Sequence, residues 1–218
     1  MISTFEEIKE LLVQIDAQLQ SKVDIYAIGG LVLLYHKLKP ATKDLDLIVS
    51  SGKEYHYLKT VLHELKFIET KPEFGYDHFN LSQILISKDF RIDLFSSTVC
   101  KGFSLSKDMI HRAEKVIQLS NLSLHLCSNE DTLLFKTMTE REGDLNDCIA
   151  LASRGLDWNS ILKELKHQIH LSGRKVWITW VGERLDLLIE RGLNIPIMKE
   201  VDQLRIEYYE EFDKKLGE

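Results

Sequence analysis

The sequence lacks the features of secreted and membrane-spanning proteins. It has only three cysteines among 218 residues, and Cys100, Cys127 and Cys148 are widely spaced without a Cys-x-x-Cys pair. This pattern predicts reduced thiols rather than a disulfide framework. Glu6 and Glu7 stand where a signal peptide would be basic, and no apolar run approaches the roughly 20 residues of a membrane-spanning helix. We therefore expect a cytoplasmic protein without membrane segments.

The chain also lacks an excess of positive charge. It carries 28 lysines and arginines against 34 aspartates and glutamates, which gives a formal net charge of −6. An acidic balance disfavours a broad nucleic-acid surface, although it is compatible with a local basic patch. A nucleic-acid partner is therefore less expected than a small molecule or a protein.

Hydrophobic periodicity divides the chain into two parts. In the first part, strands and helices alternate: helix 4–20, strand 24–28, helix 31–38, strand 44–49, helix 54–65, strands 67–70, 78–87 and 90–95, and a strand pair over 115–126. After Cys127 every long pattern is helical, with helices predicted over 129–140, 144–154, 157–170, 174–191 and 197–214. We predict an α+β fold, with a mixed sheet and flanking helices over residues 1–126 and a helical domain over residues 127–218.

A diglycine pair precedes two alternating aspartates by thirteen residues. Gly29 and Gly30 follow the strand predicted over 24–28, and Asp44 and Asp46 alternate with leucine in the next strand. Alternate residues of a strand face the same side, so the two carboxylates share one face. Carboxylates are depleted in strands. The pair therefore indicates function, and an exposed sheet edge or a helix cap is the alternative explanation.

A third carboxylate, Asp93, lies between apolar neighbours in the segment FRIDLF. Mg²⁺ prefers carboxylate oxygens, and two aspartates at i and i+2 can bridge a pair of metal ions. A third carboxylate from a neighbouring strand can hold one metal beside an attacking hydroxyl and take up its proton. Glycine and a helix start let phosphate oxygens come close to the backbone. Together these features predict a two-ion Mg²⁺ site beside a bound nucleoside triphosphate.

These residues resemble the DNA polymerase β-like nucleotidyltransferase superfamily. The resemblance rests on the motifs Gly29-Gly30, Asp44-Leu45-Asp46-Leu47 and Ile92-Asp93-Leu94. The helical block EDTLLFKTMTEREGDLND, residues 130–147, is similar to small prokaryotic members, including the nucleotidyltransferase toxins of abortive-infection systems. The resemblance covers about residues 23–150. It implies a sheet carrying three catalytic, metal-binding aspartates, with a helical domain beside the nucleotide.

The resemblance also implies a second set of nucleotide-binding residues in the helical part. Lys136, Arg141, Asp144 and Asp147 occupy the matching places. Lys136 would contact phosphate, and Arg141 would contact phosphate or the two aspartates. A surface ion-pair cluster at helical spacing is the alternative explanation.

One position departs from the pattern of these relatives, which often carry arginine where this chain has Pro40. Lys39 or Lys43 would then supply the positive charge beside the triphosphate. Lysine lacks the bidentate fork of arginine, so the contact would differ in kind.

The leading hypothesis is a Mg²⁺-dependent enzyme that transfers a nucleoside monophosphate from a triphosphate such as ATP to a hydroxyl acceptor. The acceptor stays open between a tRNA end, a protein side chain and a small molecule such as an aminoglycoside. The alternative is a catalytically silent nucleotide-binding or regulatory module that acts through a protein partner. A purely structural interaction protein would instead require the three aspartates to lie apart. A toxin–antitoxin role depends on gene neighbourhood, which the sequence does not contain.

Overall fold

The computed structural model describes residues 1–70, 84–99 and 102–216. The part of the predicted strand over 78–83, together with Cys100, lies outside the described residues. The chain divides into two compact units, Met1–Ser128 and Asn129–Glu218. Each unit has its own pattern of secondary structure.

The first unit contains a mixed sheet with helices. Its described helices are α1 (Phe5–Gln18), α2 (Gly30–Tyr35), α3 (Gly52–Glu64) and α4 (Lys107–Arg112). Its described strands are β1 (Val23–Ile28), β2 (Leu45–Val49), β3 (Ile68–Thr70), β4 (Ile84–Ile86), β5 (Arg91–Ser96), β6 (Thr98–Val99), β7 (Phe103–Ser104), β8 (Glu114–Gln118) and β9 (Leu122–Leu126).

Seven of these described strands form one sheet in the order β3-β4-β5-β2-β1-β9-β8. Strand β2 pairs parallel with β5, and β1 pairs parallel with β9. The remaining pairs in this sheet, including β1 with β2, are antiparallel. Strands β6 and β7 form a separate two-stranded sheet. The predicted α+β class, with a mixed sheet and flanking helices, is confirmed.

Period-two alternation gives the central strands an apolar face and a second, more polar face. The apolar face packs with helices α1 and α3 into one core, which contains Val23, Ile25, Ala27, Leu45, Leu47, Val49, Ile92, Leu94, Leu122, Leu124 and Leu126. Full burial of such a side chain stabilises a protein by about 1.5–3 kcal/mol. The intervening residues, among them Asp46 and Asp93, therefore point away from this core.

The second unit is helical throughout its regular structure. It contains α5 (Asn129–Thr137), α6 (Glu142–Ala152), α7 (Trp158–Ser172), α8 (Trp177–Glu190) and α9 (Met198–Leu216). Local signals set the ends of α7, since the Asp157 side chain accepts hydrogen bonds from the amides of Asn159 and Ser160. Gly173 ends the same helix with a left-handed φ of 70°. Among the described residues, no helix has the length and apolar character needed to span a membrane.

Two local predictions need correction. The helix predicted over 31–38 ends at Tyr35, before Pro40 is reached. Lys37 adopts a left-handed φ of 59°, which a continuing helix cannot accommodate. The sequence also gave no indication of α4, β6 and β7, because a six-residue helix and two-residue strands are too short to show periodicity. The strand pair predicted over 115–126 is confirmed as β8 and β9.

Truncation of a residue on the apolar face of the sheet tests this assignment. Leu124 is 0% exposed, and Leu124→Ala should lower the free energy of unfolding of the first unit by about 2–5 kcal/mol. Val13 on α1 is 49% exposed, so Val13→Ala should change it by less than about 0.5 kcal/mol. Hydrogen-exchange mass spectrometry on peptides from β1 and β9 measures both effects. Equal protection in the two variants would contradict the assigned core.

Candidate active site

Strand register brings two of the predicted aspartates and the diglycine turn together. Asp46 on β2 is the parallel register partner of Asp93 on β5. Asp46 is also the antiparallel partner of Ile28, the last residue of β1 before Gly29. Asp93 is 4% exposed, whereas Asp46 is half-buried. The polar sheet face therefore places a buried and a half-buried carboxylate side by side, next to the turn.

The diglycine turn is in close contact with its neighbours. Gly29 has a φ of 65°, and a Cβ atom there would lie 2.4 Å from Oδ2 of Asp46. A Cβ atom on Gly30 would lie 2.2 Å from Oγ1 of Thr42. No side chain fits at either position without movement of Asp46 or Thr42. Glycine is therefore required here by the close approach of the turn to the aspartate strand.

Asp44 and Lys43 lie just before β2. The Asp44 side chain is 25% exposed, and its backbone carbonyl accepts a hydrogen bond from Oγ1 of Thr42 at 3.1 Å. Lys43 is exposed. Both predicted residues are thus adjacent in sequence to the strand that carries Asp46.

Arg91 is the residue of this site that the sequence prediction missed. Its Nε donates a hydrogen bond of 2.9 Å to Oδ1 of Asp93, and its Nη2 donates one of the same length to Oδ2. Its Nε also lies 4.0 Å from Oδ2 of Asp44. The sequence spacing could have identified it, because Arg91 precedes Asp93 by two residues on β5 and so faces the same side of the sheet. The fork of two parallel hydrogen bonds is the strong, orienting form of an arginine–carboxylate pair.

The three aspartates differ in how readily their oxygen atoms could bind a metal ion. The carboxylates of Asp44 and Asp46 have the hard oxygen atoms that Mg²⁺ prefers. Both oxygens of Asp93 instead accept hydrogen bonds from Arg91. Among residues 1–70, 84–99 and 102–216, no group of three or more His, Cys, Asp or Glu side chains is arranged to hold a metal ion. The assignment of all three aspartates to metal ions stays a prediction.

The four predicted residues of the helical part lie together in the second unit. Nζ of Lys136 on α5 donates hydrogen bonds of 2.7 Å to Asp144 and to Asp147, both on α6. Nε of Arg141 donates to Oδ2 of Asp144 at 2.7 Å. Thr139 donates its hydroxyl proton to the same carboxylate. We call Lys136, Thr139, Arg141, Asp144 and Asp147 the lysine cluster.

The lysine cluster is mostly buried rather than a surface ion-pair cluster. Lys136 is 6% exposed and Asp144 is 4% exposed, whereas the Arg141 side chain is 56% exposed. Burial would raise the pKa of Asp144, but the charges of Lys136 and Arg141 outweigh it and lower that pKa to about 2. Burial would likewise lower the pKa of Lys136, and the two aspartates more than compensate, so that pKa is raised. The cluster therefore holds α5 and α6 together through mutually neutralised charges.

A protein-family model matches most of this chain. A family model described as a nucleotidyltransferase of unknown function (DUF6036) matches residues 1–174. The curated proteins contain no match to the sequence.

Three solved structures resemble the fold at low identity. A putative nucleotidyltransferase, TM1012 from Thermotoga maritima, is 13% identical over 60% of this chain and 83% of its own, with a TM-score of 0.40. The solution structure of the antibiotic-resistance factor ANT(2'')-Ia is 10% identical over 75% of this chain and 95% of its own, with a TM-score of 0.47. The crystal structure of ANT(2'')-Ia with adenylyl-2''-tobramycin is 9% identical over 78% of this chain and 97% of its own, with a TM-score of 0.49.

The Gly29→Ala variant tests the close approach of the turn to Asp46. A positive φ at a non-glycine residue costs about 1–3 kcal/mol, and the new Cβ must also displace the Asp46 carboxylate. We expect reduced hydrogen-exchange protection in β1 and β2. Gly52→Ala is the matched control, because the nearest atom to its Cβ would be Oγ of Ser96 at an ordinary 3.9 Å. Equal protection in the two variants would refute the required glycine at position 29.

The lysine cluster predicts an acid-sensitive second unit. The pKa of Asp144 falls from its ordinary 3.8 to about 2 on folding. Its stabilisation, about 2 kcal/mol, is therefore present above pH 3.8 and lost as the pH falls towards about 2. Asp144→Asn should remove this pH dependence, and Asp213→Asn at an exposed site on α9 should retain it.

Urea unfolding followed by tryptophan fluorescence measures this effect, because the three tryptophans of the chain, Trp158, Trp177 and Trp180, all lie in the second unit. A wild-type protein and an Asp144→Asn variant with the same slope of stability between pH 4 and pH 2 would disprove the contribution of Asp144.

Proposed function

We propose, since this chain belongs to the DUF6036 family of nucleotidyltransferases, that it transfers a nucleoside monophosphate to an acceptor hydroxyl in a Mg²⁺-dependent reaction. The proposed catalytic residues are Asp44, Asp46 and Asp93. The observation that carries the proposal is the register of β2 with its two neighbours: its pairing with β5 sets Asp46 beside Asp93, and its pairing with β1 sets Asp46 beside Gly29. This juxtaposition is what nucleotidyl transfer at a carboxylate site requires.

In this proposal Asp44 and Asp46 would hold Mg²⁺, with Asp93 completing a two-ion site, and the metal would neutralise the charge that develops on the phosphates. Asp93 has a second role as the base that takes up the proton of the acceptor hydroxyl. Its buried position on the sheet keeps the carboxylate fixed in direction, and Arg91 orients both of its oxygens. Orientation of the reacting groups is a main source of rate in phosphoryl and nucleotidyl transfer.

The diglycine turn is the proposed binding place of the triphosphate. Neither Gly29 nor Gly30 carries a side chain that would separate phosphate oxygens from the backbone. The turn also lies against Asp46, so phosphates bound there would lie close to the proposed metal ligands. Lys43, which is exposed beside Asp44, supplies positive charge for the same triphosphate.

In the second unit, Arg141, the exposed member of the lysine cluster, is proposed as a phosphate-binding residue. The guanidinium of Arg141 can accept a phosphate partner because more than half of its side chain is exposed. Lys136 could contact phosphate only by leaving Asp144 or Asp147, to which it donates short hydrogen bonds. We therefore assign the phosphate contact to Arg141, and we assign the orientation of α5 and α6 to Lys136, Asp144 and Asp147.

The acceptor class is open to direct measurement. The candidates are an RNA end such as that of tRNA, a protein side chain and a small molecule. Incubation of the protein with Mg²⁺, each α-³²P-labelled nucleoside triphosphate and separated RNA, protein and small-molecule fractions of a cell extract identifies the labelled class. Nucleotide binding without labelling of any fraction and without release of pyrophosphate would instead support a silent regulatory module that acts through a protein partner.

The Asp44→Ala variant tests the catalytic assignment. We expect transfer of labelled nucleotide to fall at least about 100-fold, because Asp44→Ala removes a ligand of the metal ion that would neutralise the reacting phosphate. Asp24→Asn is the matched control, since Asp24 lies on the polar sheet face but is exposed and pairs with His125 at 3.0 Å. Chelation of divalent metal should have the same effect as Asp44→Ala. Unchanged transfer in the Asp44→Ala variant would reject the assignment.

A further inference from the structure

Arg91 forms hydrogen bonds with Asp93, the third aspartate of the candidate active site. The Asp93 side chain is 5% exposed, and Arg91 approaches one of its oxygens through Nε at 2.9 Å. Nη2 approaches the other oxygen at the same distance. Nε also lies 4.0 Å from the carboxylate of Asp44. One guanidinium group thus binds one proposed metal ligand and borders another.

Charge balance explains why the arginine is there. Neighbouring carboxylates repel one another, and burial of a carboxylate costs free energy unless a positive partner or hydrogen-bond donors compensate for it. Arg91 supplies a permanent positive charge, because a guanidinium does not lose its proton in proteins. The fork geometry also uses both oxygens of Asp93 at once. A metal ion that approaches Asp93 therefore meets a carboxylate already engaged by another cation.

We propose that Arg91 is a positioning residue that competes with the metal ion for Asp93. This inference rests on the proposed function, because it takes Asp93 as a metal ligand. The guanidinium keeps the Asp93 carboxylate oriented while the metal is absent, and it must release at least part of its fork when the metal binds. Binding of the guanidinium and of the metal at Asp93 are thus linked with opposite sign. The bare protein binds divalent metal more weakly than its three carboxylates alone would.

A titration with Mn²⁺ tests this competition without turnover. Electron paramagnetic resonance follows free Mn²⁺ as it binds to the protein in the absence of nucleotide. We expect Arg91→Gln to bind Mn²⁺ at least about fivefold more tightly than the wild type, the lower end of typical coupling between two sites. Arg154→Gln, a charge-matched change at an exposed position of the second unit, should leave the affinity unchanged. No gain in the Arg91→Gln variant would overturn the proposal.

The same titration in an Asp93→Asn background separates competition for Asp93 from a general effect of charge. If Arg91 acts through Asp93, the gain from Arg91→Gln disappears when Asp93 is no longer a carboxylate. If the gain persists, the guanidinium acts directly on metal at Asp44 and Asp46, and the proposal is overturned. Far-UV circular dichroism checks that each variant is folded.

A conservative variant covers the case in which Arg91→Gln does not fold. Arg91→Lys keeps the charge but loses the fork, so Mn²⁺ should bind more tightly than to the wild type. An unchanged or lower affinity overturns the proposal.

A different result of the same titration would overturn the proposed function. Equal Mn²⁺ binding by the wild type and Asp44→Ala would overturn the metal assignment. Binding that Asp44→Ala abolishes and Arg91→Gln leaves unchanged would overturn only the role of Arg91.

Discussion

The register between β1, β2 and β5 is the constraint on which the site depends. Asp46 faces Ile28 on one side and Asp93 on the other, so one residue links the diglycine turn to the third aspartate. A slip by one residue would turn Asp46 into the core and Leu47 onto the polar face. Burial of the alternate residues prevents that slip, since Leu45, Leu47 and Leu94 are at most 2% exposed. The apolar face of the sheet thus fixes the position of its chemical groups.

In both units a positively charged side chain neutralises a buried carboxylate, but the two positive side chains differ in burial. In the first unit, Asp93 is engaged by the half-buried Arg91, at a site where a metal ion is proposed to bind. In the second unit, Lys136 is buried between Asp144 and Asp147 and holds two helices together. In the proposal, a metal ion can take the place of the Arg91 guanidinium at Asp93 because Arg91 is partly exposed. At the second place, loss of the lysine would leave buried charges unpaired.

Membership of a nucleotidyltransferase family supplies the reaction class, and the residues supply its proposed details. The family match covers residues 1–174 and so includes the polar sheet face and the lysine cluster. The glycine turn, Asp44, Asp46 and Asp93 account for triphosphate binding and catalysis in the proposal. Acceptor choice depends on surfaces that catalytic chemistry does not specify, because many acceptors offer the same hydroxyl group to one site.

The sequence by itself predicted the longer helices and strands and the residue types of the candidate site. Strand alternation, a local pattern, predicted one face for Asp44 and Asp46. The resemblance to known nucleotidyltransferases predicted Lys136, Arg141, Asp144 and Asp147 as one set, and Thr139 was not predicted. The tertiary structure alone decided which strand lies beside β2, that Arg91 engages Asp93, and that Lys136 is buried. The strand neighbour of β2 and the burial of Lys136 depend on residues far apart in the chain, which no local periodicity encodes. The i, i+2 spacing of Arg91 and Asp93 allows them to share a face, but only the folded strand shows that their side chains pair. The short elements α4, β6 and β7 escaped prediction for the same reason, since packing rather than intrinsic preference stabilises so few residues.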